Sequence, residues 1–552
     1  MKFNKILTFC LIGLTIGATT SCKDHQEDEV TKLQLSRTLS PLNIEVSSIS
    51  EAGAEVTWET SDKVSYYNFE VYADDHLTFK TDHRIASQCR RVLANELPLN
   101  LTNLDFDTEY SIRVQAVTIG EEDKSSKWSD YNFTTSFLKL LKAVEAENVT
   151  TNSVKLEWDV DKVAGRATKI RIGGKDYELS SENIENGNVI IGGLNSETTY
   201  TAQFLNASNK RLGNRTFTTD INTEGMTVLN ETDDLKSILS SAADGQVFAL
   251  NPGIYAGGDN IDIKTNVIIK GVKPMDMPIV EHCFTFTETA RTSLTATWLK
   301  LDCTSSSTAR CLLTTTAARD YAIKFQNCEI KGYGRNMIYC GDLPGSDVAT
   351  CDEITYDNCL IYDIPCNNAA FIDLRKGVYV KKISFTNSTI YNSITSGRDV
   401  FRLDGIADRG TAVTSPIPVI IDHCTWANVG TNGGNYQIFY LRLVPYKVTF
   451  TNNIVTGYVN KRGFTQGVSI KDGDTTIGWE SDENPTLLNN FYYQTKYLLK
   501  DVDGNDQKPR WFDTGGQELN PKFKNAAEYN FTLDNNTIIQ AGAGDPRWLE
   551  AE

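Results

Sequence analysis

Between residues 299 and 490 one short pattern keeps returning. Its clearest copy is Ile323-x-Phe325-x-Asn327-Cys328-x-Ile330, followed by Ile354-x-Tyr356-x-Asn358-Cys359-x-Ile361 and Ile383-x-Phe385-x-Asn387-Ser388-x-Ile390. Looser copies stand at Ile421-Asp422-His423-Cys424 and at Val448-x-Phe450-x-Asn452-Asn453-x-Val455. Leu299-x-Leu301-Asp302-Cys303 reads as an earlier copy and Leu487-Leu488-Asn489-Asn490 as a later one, at intervals of 25, 31, 29, 36, 29 and 37 residues. A fixed motif at irregular intervals points to a solenoid whose coils carry loops of unequal length.

The residue types explain the motif. In a strand alternate side chains face one way, so Ile323 and Phe325 are expected to fill a bore while their neighbours face water. Asparagine tolerates the left-handed backbone region and can hydrogen-bond locally, so it suits a corner between strands. The residue after it faces in. On that basis Cys303, Cys328, Cys359 and Cys424 should form one buried column beside Ser388, as small apolar side chains and not as catalysts or ligands. His423 substitutes in the asparagine row. The five histidines lie far apart and show no metal-ligand spacing.

The N-terminus sets the expected compartment. Two lysines within residues 1–5 precede an apolar run too short to span a bilayer, which ends in Thr19-Thr20-Ser21-Cys22. That is the pattern of a signal peptide over residues 1–22. With cysteine at the cleavage point it resembles a bacterial lipoprotein signal, which makes Cys22 the expected lipidation site. The acidic tether at 23–40 opens with Lys23-Asp24-His25-Gln26-Glu27-Asp28-Glu29 and resembles the signal that sends Bacteroidetes lipoproteins to the outer cell surface. The expected location is the outer membrane, facing outward. Ten cysteines follow residue 22, in a compartment that permits disulfides. A net charge of −17 argues against nucleic acid and requires any polyanion to be held by a local basic patch.

Residues 41–136 read as short strands separated by turns, with Val56 and Trp58, then Tyr67, Phe69 and Val71, in alternation. Leu104 stands six residues before Tyr110, which opens a strand. This resembles the tyrosine corner of fibronectin type III domains. Val154, Leu156, Trp158 and the stretch from Leu194 to Tyr200 repeat the scheme in residues 137–220. Two tandem modules of this class are expected, acting as spacers with Trp58 and Trp158 in their cores.

Residues 221–552 open with a short helical pattern, Asp233 to Ala243, which would cap the first coil and cover its open edge. Asn251-Pro252-Gly253-Ile254-Tyr255 and a strand ending Lys270-Gly271 follow, and the chain closes with Ala541-Gly542-Ala543-Gly544-Asp545-Pro546-Arg547-Trp548. Together with the repeat, these resemble Bacteroidetes surface lipoproteins of the pectate-lyase-like superfamily. The resemblance implies an all-β chain: two fibronectin type III-like sandwiches followed by a right-handed parallel β-helix.

A second strand precedes each motif copy. Stacked on one another, these strands give two outward rows: Tyr339, Asp373, Arg402, Tyr440, and Gly341, Arg375, Asp404, Arg442. In pectate-lyase-like enzymes the substrate groove follows this sheet, and loops leading into it would add Arg335 and Arg398, with Lys461 and Arg462 beyond. The charges could instead pair across coils as a surface ladder, worth about 0–1 kcal/mol per pair. Forked guanidiniums beside aromatic rings are better suited to sugar carboxylates or sulfates.

The expected partner is therefore an acidic polysaccharide, such as chondroitin, hyaluronan or pectin, and the expected activity is that of a polysaccharide lyase. In β-elimination a cation neutralises the uronate carboxylate, a base takes the C5 proton and an acid protonates the leaving oxygen. Arg402, Tyr440 and Tyr339 are the expected catalytic residues. Arg375, Arg442, Arg398, Arg335, Asp373 and Asp404 are the expected substrate-binding ones. Ca²⁺ held by Asp373 and Asp404 is a possible cofactor, though two carboxylates are a weak hard-cation site. The aspartate motifs of polygalacturonase-type hydrolases and pectin methylesterases are absent. The alternative is a non-catalytic surface glycan-binding lipoprotein, working beside other glycan-uptake proteins.

Overall fold

The computed structural model describes residues 37–549 apart from 259, 289, 306–309, 316–319, 407–412, 414, 443–444, 466–469, 473–474, 478–484 and 501–510. The leader, Cys22 and nearly all of the acidic tether lie outside the described residues. Among those described, no helix is long and apolar enough to cross a membrane.

The first region is an antiparallel sandwich. Glu45–Ser47, Gly53–Thr57 and Leu99–Thr102 form one sheet, while Arg90–Val92, Tyr66–Ala73, Glu109–Val117 and Ser129–Thr134 form the other. Their inward residues enclose Trp58, Tyr67, Phe69 and Ile112 in one core. The Tyr110 hydroxyl accepts a hydrogen bond from the Asp105 amide at 2.7 Å, and Tyr200 does the same for Asn195 at 3.0 Å in the next region. That second region packs a four-stranded sheet against the pair Ser153–Glu157 and Asn188–Gly192 around Trp158 and Phe204. Both tryptophans are buried core residues, which leaves neither available to a sugar.

From residue 227 onward the chain builds three parallel sheets that share one large core. A typical repeat runs Asp320–Gln326 in the first sheet, Glu329–Lys331 in the second and Ile338–Cys340 in the third, before Ala349–Asp357 returns to the first. The register pairs Ile323 with Ile354 and Ile354 with Ile383, and stacks Phe325, Tyr356 and Phe385. Their rings lie 5.1 and 4.6 Å apart, nearly parallel, deep in the core. Apolar alternation makes these segments strands because each repeat can bury one face only against its neighbours.

The corner between the first and second sheets is set by the asparagine row. Asn327, Asn358, Asn387, His423, Asn452 and Asn489 all adopt φ between 49° and 55°, a region that asparagine enters at lower cost than most residues. Their amides bond down the stack: Asn358 to Asn327 at 2.6 Å, Asn489 to Asn452 at 2.8 Å. Asn387 and Asn452 donate instead to the carboxylates of Asp357 and Asp422.

One part of the expected column is corrected. Ala296 pairs with Phe325 and Leu301 with Ile330, so Trp298 occupies the corner and Leu299 the buried position beneath Cys328. Cys303 lies four residues further on, past the second-sheet strand Lys300–Asp302. The alternating Leu299 and Leu301 imitate the motif, but they straddle the corner instead of preceding it. The column therefore contains Leu299, Cys328, Cys359, Ser388, Cys424, Asn453 and Asn490. Ser388 accepts from the Cys359 amide and Asn453 from that of Cys424, both at 2.9 Å. The ten described cysteines are free thiols, most of them buried.

The helix Leu235–Ser240, capped by Asp234, closes the first repeat with Leu235 and Leu239. At the far end the C-terminal segment packs along the second sheet, where Asp545 accepts from Thr389 at 2.7 Å. The third sheet contributes its outer face to a different purpose.

Candidate functional site: a checkerboard of arginine and aspartate

Ile338–Cys340, Ile372–Leu374, Phe401–Leu403 and Phe439–Leu441 are consecutive strands of the third sheet. Their central residues pair as Tyr339, Asp373, Arg402 and Tyr440, the register expected from the sequence. Backbone bonds from Arg375 to Cys340, Asp404 to Leu374 and Arg442 to Leu403 carry the same register beyond the strand ends. Residues two apart on a strand share a face. Asp373 and Arg375 thus lie beside Arg402 and Asp404 as a two-by-two checkerboard with opposite charges adjacent.

The contacts follow from that placement. Arg375 grips Asp373 with Nε and Nη2, both at 3.2 Å. Arg402 Nη2 donates to Asp404 at 3.0 Å, while its Nε stands 3.8 Å from Asp373. Arg442 Nη1 reaches Asp404 at 3.4 Å, and its buried Nε has no hydrogen-bond partner among the described residues. The carboxylates form the floor, with residue exposures of 2% and 1%. The guanidiniums of Arg375, Arg402 and Arg442 lie over them, with side-chain exposures of 30%, 22% and 15%.

The tyrosines bracket the network. Arg375 lies 5.7 Å from the Tyr339 ring, and Tyr440 sits between Arg402 and Arg442 at 5.7 and 5.6 Å, within cation–π range. Gly341 makes room at the first corner, because a Cβ there would come within 3.1 Å of the Tyr339 hydroxyl. Three cations over two buried anions leave one net positive charge on an otherwise acidic protein.

This geometry bears on the part Arg402 can play and on Ca²⁺. Burial opposes the charge on Arg402, yet its bonds to Asp404 and the nearby Asp373 raise its pKa above the ordinary guanidinium value. Arg402 is thereby held as a cation and is unsuited to act as a base. It also occupies the space between Asp373 and Asp404 where Ca²⁺ would have to lie, and among the described residues no group of three or more acidic, His or Cys side chains forms a metal site.

The remaining predicted residues stand outside the network. Arg398 fixes its guanidinium on Asn368 Oδ1 at 3.1 and 2.9 Å. Arg335 is exposed on the segment leading into the strand of Tyr339. Sequence reasoning missed Asp399, three residues before Arg402. Burial pushes its carboxyl up to about 6, against a bond from the Gln437 amide at 3.1 Å and the pull of Arg462 and Arg402. Nothing local marks it out, since the shift comes from packing.

Three family matches divide the chain. Residues 253–393 match a domain of unknown function, DUF4957, and residues 419–548 match another, DUF5123. Residues 39–130 match the fibronectin type III domain. The N-terminal sandwich is a fibronectin type III domain. Similar solved structures include a two-domain fibronectin type III segment from chicken tenascin, 16% identical, covering 32% of this chain and 94% of that one with a TM-score of 0.20. Another is the FN5 domain of Drosophila Lar, 19% identical over 18% of this chain and 96% of that one, with a TM-score of 0.15. No curated protein matches the chain. The matches leave the centre of this face uncovered: Tyr339, Asp373 and Arg375 fall in the first domain of unknown function, Tyr440 and Arg442 in the second, and Arg402 and Asp404 in neither.

Proposed function

We propose that residues 221–552 form a right-handed parallel β-helix whose arginine–tyrosine face binds a uronic-acid-containing polysaccharide and cleaves it by β-elimination. The chain is read as a lipoprotein anchored through Cys22 in the outer membrane. The fibronectin type III domain and the sandwich after it, read as a second such module, hold the β-helix away from the membrane beside other glycan-uptake proteins. The observation that carries this reading is the checkerboard. Guanidiniums fixed from below by buried carboxylates turn their outer edges to solvent, and aromatic rings flank them. Preorganised donors of this kind bind carboxylates and sulfates without first ordering flexible side chains.

In the reaction, Arg375 and Arg442 neutralise the uronate carboxylate, which acidifies the C5 proton. Asp399, with its carboxyl raised to about 6, accepts that proton. The C4–O bond breaks as the electron pair forms the C4=C5 double bond, and Tyr440 protonates the departing oxygen. Arg402 serves as a fixed cation.

A binding-only surface protein is the second reading, favoured by the locked, fully charged state of Arg402. Incubation of the mature protein with hyaluronan, chondroitin sulfate, heparin, alginate and polygalacturonate, with and without Ca²⁺, separates the two. Absorbance of the unsaturated uronate establishes a lyase, which Tyr440→Phe should slow strongly. Retarded migration in glycan gels with no absorbance change establishes the binding protein. Neither response to any of these glycans would refute both readings.

A further inference from the structure

From Leu519, bonded to Tyr492, as far as Leu549 the chain runs back across the repeats along the outside of the second sheet. Gly544 donates its amide to the Asn452 carbonyl at 2.8 Å, and Asp545 donates its own to Thr425 Oγ1 at 2.9 Å. Thr389 Oγ1 donates to the Asp545 carboxylate and accepts from Trp548 Nε1, both at 2.7 Å. Arg547 Nη2 reaches Asn358 Oδ1 at 2.8 Å. Four consecutive repeats are tied in this way. Phe531 adds apolar contact with Tyr362, Tyr391 and Ala427. Gly544 makes the close approach possible: its φ is +89°, and a Cβ there would come within 2.6 Å of Ile454 Cδ1 and 2.9 Å of Thr425 Oγ1.

The repeats under this segment are those that carry the checkerboard. The second-sheet strand Leu360–Tyr362 leads to Asp373 and Arg375, Thr389–Ser393 to Arg402 and Asp404, and Thr425–Val429 to Tyr440 and Arg442. A stacked repeat touches only its neighbours, so two of them can part locally while the others stay together. The face depends on contacts between repeats, with Arg402 Nε 3.8 Å from Asp373 and Arg442 Nη1 3.4 Å from Asp404. A slight parting would break them. A segment that crosses four repeats makes each such parting break its own bonds as well.

The segment is held in turn by the fibronectin type III domain. Ser47 forms an antiparallel bridge with Asn535, and the Ser48 amide donates to Asp534 at 3.2 Å. Gln540 Nε2 and Asn536 Nδ2 donate to the Asn132 carbonyl at 2.8 and 3.3 Å, and the Tyr131 hydroxyl lies 3.2 Å from Thr537 Oγ1. Arg211 of the second sandwich grips Asp107 of the first at 2.8 and 2.7 Å, and Lys270 of the early repeats holds Glu197 of the second at 2.8 Å. The contacts close a circuit from one end of the repeats to the other. We propose that residues 519–549 are a strap that keeps the three repeats of the checkerboard in register, and that the fibronectin type III domain secures the strap. The domain is then a support of the face as well as a spacer, whether the face cleaves a glycan or only binds one.

Amide hydrogen exchange on the full chain tests this. Gly544→Ala keeps every hydrogen-bonding group and sets a methyl group between strap and repeats. The reporters are the amides of Phe401, bonded to Ile438, and Arg442, bonded to Leu403; the control is Phe284, bonded to Leu312 in a repeat outside the strap. Both reporters should exchange about tenfold faster or more, with a change under about twofold in the control. Gln540→Ala combined with Tyr131→Phe alters only the seam and should speed the reporters about threefold. Wild-type rates at the reporters, with a faster amide at residue 544, would show the strap lifting without effect on the face and overturn the proposal. Equal acceleration at Phe284 would overturn it too, as the mark of a general loss of stability. So would a wild-type rate at residue 544 itself, since a seated strap has no room for the methyl group. Unchanged reporters in the seam variant, beside faster ones in Gly544→Ala, would overturn the part given to the fibronectin type III domain.

Discussion

Asp404→Ala removes the carboxylate that holds two guanidiniums in place, and its cost can be worked from the contacts. Asp404 is 1% exposed and bonds Arg402 at 3.0 Å and Arg442 at 3.4 Å. Removing one partner of a buried pair costs about 3–5 kcal/mol, because the remaining charge stays desolvated. The two guanidiniums keep 22% and 15% of their side-chain exposure. Water can therefore recover part of the loss, which brings the expectation to about 2–4 kcal/mol. Asp404→Asn keeps an acceptor and should cost less, about 1–2 kcal/mol.

A chain with several cores has no single unfolding free energy, so amide hydrogen exchange is the appropriate assay. The reporters are the amides of Phe401, bonded to Ile438, and Arg442, bonded to Leu403, both at 2.8 Å. Their exchange should rise about 30- to 1,000-fold in Asp404→Ala. Amides of Tyr66–Ala73 in the fibronectin type III domain serve as the unchanged control. Adding Arg442→Ala to Asp404→Ala should cost less than Arg442→Ala alone, since the shared contact is already gone. Wild-type exchange at Phe401 and Arg442 in Asp404→Ala would refute the view that the buried carboxylates hold this face together.

Asn387 tests the corner: Ala there must enter φ 49° and loses the bond to Asp357, together about 2–3 kcal/mol. Asn387→Gly loses only the bond and should cost about 1 kcal/mol less in the same exchange measurement; equal costs would show that backbone conformation is not what the asparagine supplies. Asp399 tests the electrostatics. Its carboxyl rises from 3.8 to about 6 on folding, so between those values the folded state binds the extra proton. Its contribution to stability therefore falls as pH rises from about 4 to about 6, and Asp399→Asn should flatten thermal stability across that window; an unchanged pH profile would argue against a half-buried, raised carboxyl.

The sequence alone carried what is local. Period-two alternation placed the strands, and the register of Tyr339, Asp373, Arg402 and Tyr440 could be stacked by eye because a parallel ladder preserves it. Asparagine marked the corners because its side chain lowers the cost of the left-handed backbone locally. Where no polar residue marks the corner, as at Trp298, the same reasoning slipped by four residues, since Leu299 and Leu301 alternate as well as any strand does. Tertiary structure decided the rest. The grip of Arg375 on Asp373 and the seat of Arg402 between two carboxylates depend on rotamers packed between neighbouring repeats. The raised carboxyl of Asp399 depends on how much water the fold excludes, a quantity no stretch of sequence contains. The sequence determined which side chains share the face. Desolvation, which exists only once the repeats are stacked, decided which of them are charged, locked or able to move a proton.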